Sequence, residues 1–158
     1  MSSHNAYMQI LLSTAIAVLL TIMPLPQLIN MGRPDWMLLV VIYWSLNAAF
    51  VTGLTYAWCC GLIMDALVGT LIGQHAFIFV LIATLAQHFQ FRIRVFPLMH
   101  QSIIVCLLIV LYQFMLFWID GIVGTALSSW LRGLPAIIGA LIWPILVAIL
   151  DTSTRNIR

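Results

Sequence analysis

Lysine and glutamate are absent from this chain of 158 residues. Its only Asp, Glu, Lys or Arg side chains are six arginines and four aspartates, 6% of the sequence. A soluble domain carries about 25% charged residues, so a water-facing globular surface is excluded. Hydrophobic residues make up 64% of the chain, which excludes a disordered polymer. The formal net charge of +2 is too small to hold a polyanion, so no nucleic acid is expected as a partner. Without lysine there is no phosphate-binding loop that ends in Gly-Lys. His-Glu-x-x-His and Gly-x-Ser-x-Gly are missing too. The three cysteines form no Cys-x-x-Cys pair, and Cys59, Cys60 and Cys106 read as small apolar residues inside hydrophobic runs. The chain is therefore expected to be no enzyme and to take no metal or cofactor.

What is present is length without charge. Residues 2–32, 36–64, 66–91, 95–119 and 133–150 contain no Asp, Glu, Lys or Arg. The mean hydropathy is +1.15. Lipid is the solvent such a surface suits, and a span needs about 20 apolar residues. The pattern predicts one all-α polytopic membrane domain over 1–158, a compact bundle of six transmembrane helices. Their expected spans are 7–23, 36–50, 54–68, 76–91, 102–119 and 133–150. Pro24 and Pro26 end the first, and Val51-Thr52-Gly53 separates the second from the third. The first lacks the basic N-region and the cleavage site of a signal peptide, so it reads as retained. The second is short: about fifteen residues rise only about 22 Å, which leaves a five-span alternative.

Arginine placement bears on both counts. With six spans, Arg92, Arg94, Arg155 and Arg158 share the N-terminal side and Arg33 and Arg132 face the other. With five, Arg33 joins the larger set. Either way the loop from Arg92 to His100 and the C-terminal tail are expected in the cytoplasm, and the connector from Asp120 to Arg132 outside. Tyr7, Trp118 and Trp130 fall near span ends, where amphipathic rings anchor.

Asp65 is the sharpest residue. A carboxylate in the bilayer centre costs about 2.5–3.5 kcal/mol on insertion scales and needs a partner. Gly61, Asp65 and Gly69 repeat at i, i+4 and i+8, which places them on one helical face where another helix can approach closely. The functional reading is a proton or substrate site, and the plainer one is a buried bond between helices. Gly69 and Gly73 permit a tight bend, after which His75 is a pH switch, a partner for Asp65, or simply a satisfied buried group. Arg33-Pro34-Asp35-Trp36 reads as a helix start, with Pro34 in the first turn, Asp35 on the helix dipole and Trp36 at the interface; docking of a partner is the alternative. Tyr112 and Gln113 read as polar contacts between helices. Pro144 frees the carbonyl of Ala140 and should kink the last span. Arg92 and Arg94 form a basic loop that either sets topology or contacts anionic lipid or a cytoskeletal partner.

The order of several motifs resembles the rod shape-determining MreD family over nearly the whole chain. They are Arg33-Pro34-Asp35-Trp36 with the apolar run after it, Gly61-Leu62-Ile63-Met64-Asp65, then Gly69, then Gly73-Gln74-His75-Ala76. Arg94-Val95-Phe96-Pro97, Tyr112-Gln113, Trp118-Ile119-Asp120-Gly121 and Trp143-Pro144 follow. The resemblance implies an inner-membrane protein of the cell-wall elongation machinery. It would bind an MreC-like bitopic protein and through it connect with MreB filaments, a RodA-type glycosyltransferase and its transpeptidase. It also implies a fold similar to the substrate-binding components of energy-coupling-factor transporters, which favours six spans. That likeness supplies the rival function, a small-molecule or lipid-binding transport component. Its pocket would have to be lined by Tyr43, Asn47, Asp65, Tyr112 and Gln113.

Overall fold

In the computed structural model, residues 3–23, 33–124 and 134–155 are described. They form six helices: α1 (Ser3–Ile22), α2 (Trp36–Asn47), α3 (Ala49–Val68), α4 (Gln74–Val95), α5 (Leu98–Val123) and α6 (Leu134–Arg155). No strand occurs among the described residues. A helix satisfies its own backbone polar groups, which apolar surroundings require. Three of the helices, α4, α5 and α6, are long and apolar enough to cross a membrane; α1, α2 and the continuous part of α3 are shorter apolar helices. Pro24, Pro26, Trp130, Arg132 and Arg158 lie outside the described residues.

The short α2 is the centre of the bundle. Every residue from Met37 to Leu46 is buried, so it has no polar face, as expected of a helix surrounded by protein. It packs against α1, α3, α4 and α6. Tyr43 and Trp44 meet edge to face at 5.2 Å, and Trp143 of α6 joins them. Trp44 donates through its indole nitrogen to Ser13 Oγ of α1 at 2.8 Å. Tyr43 donates its hydroxyl to Asp151 Oδ1 of α6 at 2.7 Å. Trp36 is half-buried, packs against the core and lines an apolar hollow between α1, α2 and α6.

The break expected at Val51-Thr52-Gly53 is a backbone event at one residue. Gly53 has φ 54 and ψ −177 inside α3, a region essentially closed to side-chain-bearing residues. Gly53→Ala is therefore expected to destabilise the protein by about 1–3 kcal/mol. A lowered unfolding temperature in mild detergent checks this.

The contacts give the helices their directions. Leu39 reaches the Gly139 position and Tyr43 reaches Asp151, so α2 and α6 run parallel. Gln74, at the start of α4, donates to Asp120 near the end of α5 at 2.8 Å, so these two run antiparallel. Asp65, His75 and Asp120 gather at one end of the bundle, and Arg92 and Arg94 lie in the last turn of α4 at the other. One boundary moves. Asp120 and Gly121 were expected to open a connector, but α5 continues through both to Val123 and ends at Gly124 in a left-handed cap (φ 80). The bond from Gln74 gives Asp120 a partner and keeps it helical.

Candidate functional site

The hairpin between α3 and α4 is built around Asp65. The last turn of α3 closes when Gly69 and Thr70 donate their amides back to the carbonyl of Asp65, at 3.0 and 3.3 Å. Gly69 (φ 71) and Gly73 (φ 101) take left-handed conformations that bring the chain round to α4. The first amides of α4 then face α3 without helical partners. The Asp65 carboxylate meets them: Oδ2 accepts from the Gly73 amide at 2.8 Å, and Oδ1 accepts from the His75 amide at 2.9 Å. Oδ1 also accepts from Thr70 Oγ1 at 3.1 Å and from His75 Nδ1 at 2.8 Å. Four donors thus surround the carboxylate, three at Oδ1 and one at Oδ2. Asp65 is 1% exposed. It is thus the N-terminal cap of a helix other than its own, placed where the helix dipole favours a negative charge.

With Asp65 ionised, the Nδ1 that faces its carboxylate carries the proton and donates. The ring is held edge-on by Phe79 at 6.3 Å and flanked by Tyr112 at 6.2 Å. Tyr112 is buried and within electrostatic reach of Asp35, Asp65 and Asp120. Asp35 stands at the start of α2 but makes no side-chain cap bond there. Instead its Oδ2 accepts from Gln113 Nε2 at 3.2 Å. Gln113 lies seven residues before Asp120, so the second carboxylate sits about 10 Å deeper along α5. Pro34 is buried beside it, and Arg33 donates through Nη1 to the carbonyl of Met23 at 3.2 Å.

The expected Gly61/Asp65/Gly69 face is corrected in its last member. A Cβ on Gly61 would overlap the Cα and N of Ala76, so only glycine lets α3 and α4 approach this closely. At Gly69 a Cβ would meet nothing within 4 Å. Gly69 serves the turn and not the packing, because α3 has already ended there. Asp65 itself fits the plainer expectation, a buried bond between helices, since its partners belong to the start of α4.

The rival pocket residues are scattered. Tyr43 binds Asp151, and Asn47 is exposed and donates to the Tyr43 carbonyl at 3.1 Å. Asp65 caps α4 and Gln113 binds Asp35. Two apolar hollows between the helices, among the described residues, are lined by none of the five. Among the contacts that sequence reasoning missed are Gln74 with Asp120, Tyr43 with Asp151, Trp44 with Ser13, and Thr14 with Tyr56. Asp120 and Asp151 did carry a signal, since aspartates beside long apolar runs need partners. Among the described residues no group of three His, Cys, Asp or Glu side chains is placed to hold a metal.

An all-helical membrane protein whose buried polar groups bind one another across helices is the class these features define. The particular family follows from comparison with known proteins. The chain belongs to the rod shape-determining protein MreD family, whose model matches residues 2–152. It is 25% identical to the rod shape-determining protein MreD of Haemophilus influenzae over 143 residues, 90% of this chain and 88% of that protein. No solved structure matches it. Membership supports a part in determining rod shape.

Proposed function

We propose that this chain is a non-enzymatic scaffold of the bacterial inner membrane. It crosses the membrane six times with its C-terminus in the cytoplasm. It holds an MreC-like bitopic protein and so links MreB filaments to lateral peptidoglycan synthesis. The family match over residues 2–152 carries this reading. Two features support it. Asp65 is held by four donors of its own hairpin, which suits a fixed framework. The helix directions, with Arg92 and Arg94 opposite the Asp65 end, suit an even number of crossings with the basic loop inside.

Affinity purification of the tagged chain from its native membrane in mild detergent, followed by mass spectrometry, tests the reading. Recovery of an MreC-like bitopic protein is the expected result. Recovery of an ATPase pair with its transmembrane coupler would replace the scaffold by a transport component.

A further inference from the structure

At the end of the bundle away from Asp65, an apolar hollow of about 630 Å³ opens between α4 and α5. Leu85, Phe89 and Ile93 form one wall and Leu108, Leu111 and Phe114 the other. The surface it exposes is wholly apolar, and Arg92, the one charged residue along it, lines it with the hydrocarbon stem of its side chain. Ligand sites commonly enclose about 300–1,000 Å³, so the hollow is large enough to hold an acyl chain. Arg92 itself lacks an ion pair or hydrogen bond among the described residues. The chain's four aspartates are engaged elsewhere: Asp35 with Gln113, Asp65 with His75, Asp120 with Gln74, and Asp151 with Tyr43. There is no glutamate to pair with it.

We propose that this groove binds an anionic glycerophospholipid, with an acyl chain between α4 and α5 and the headgroup phosphate on Arg92. The occupant follows from charge complementarity. The apolar walls suit a lipid tail of any headgroup class, so selection falls to Arg92. Its planar guanidinium matches a phosphate with two parallel hydrogen bonds. Arg92 lies in the last turn of α4, where a long basic side chain keeps its charge at the level of lipid headgroups while its stem covers apolar surface. Arg94 is two residues further on. On a helix that spacing points it away from the Arg92 face, and it does not line the hollow. This proposal goes beyond the scaffold reading and does not depend on it.

The test is native mass spectrometry of the full chain after incubation with equal amounts of phosphatidylglycerol and phosphatidylethanolamine of matched tails. The wild-type chain is expected to retain phosphatidylglycerol preferentially. Arg92→Gln should weaken that retention roughly fivefold, the contribution of one basic residue at an anionic surface. Arg94→Gln should leave the preference intact. Val110→Trp, which fills the groove from its rim without touching Arg92, should reduce retention of both lipids. Equal retention of the two lipids by the wild-type chain would overturn the proposal. So would a preference that survives Arg92→Gln, unchanged retention in Val110→Trp, or displacement of phosphatidylglycerol by an equal amount of polyprenyl phosphate.

Discussion

Asp65→Leu is expected to unfold the α3–α4 hairpin and to cost cells their rod shape. The leucine would leave the Gly73 amide, the His75 amide and the His75 ring nitrogen buried without their acceptor. Each orphaned buried donor costs about 1–3 kcal/mol, so three cost about 3–9 kcal/mol. The sum is comparable with the whole stability of an ordinary domain, about 5–15 kcal/mol. Asp65→Asn keeps one acceptor oxygen but turns an amide group toward donors, so its loss should be intermediate. Unfolding temperature and recovery of monodisperse protein in mild detergent measure both variants. The cellular readouts are partner capture and cell shape. A wild-type melting profile for Asp65→Leu would show that the cap is dispensable. Wild-type partner capture and rod shape in Asp65→Leu cells would remove Asp65 from the proposed function.

The second large effect is expected at Gly61. Even alanine there would overlap the Cα and N of Ala76 and come within 2.8 Å of the His75 carbonyl carbon. Those atoms are backbone, so no side chain can turn aside and the helices must part. Overpacking typically costs about 1–3 kcal/mol and occasionally more, and a contact with rigid backbone belongs at the upper end. Gly61→Leu should be worse and should also pull His75 away from Asp65. Gly69→Ala is the internal comparison. Its Cβ meets nothing, so only the left-handed conformation costs, about 1–2 kcal/mol. Melting temperatures in detergent should therefore fall further for Gly61→Ala than for Gly69→Ala. Adding Ala76→Gly to Gly61→Ala should not restore stability, because the clash is with the Ala76 backbone. A reversed order of the two glycines, or rescue by Ala76→Gly, would mean that the close approach of α3 and α4 is not what Gly61 provides.

Much of this protein is legible in its sequence. The cost of burying charge acts on every residue whatever its neighbours, so charge-free runs mark the apolar helices and Asp65 stands out as a group that needs partners. Gly53 shows as a break because a left-handed backbone is a local matter of sterics. His75 reads as a partner for Asp65 because Gly69 and Gly73 between them permit a tight bend. The tertiary structure decided the rest. Gly61 and Gly69 look equivalent as members of an i, i+4, i+8 series, yet only one faces another backbone. The end of α5 and the burial of all sides of α2 depend on which helices lie beside them. Gln74 with Asp120 and Tyr43 with Asp151 join residues 46 and 108 positions apart. Local pattern determines that a buried polar group must be satisfied; the placement of helices decides by whom, since hydrogen bonds act over about 3 Å of space whatever the distance along the chain.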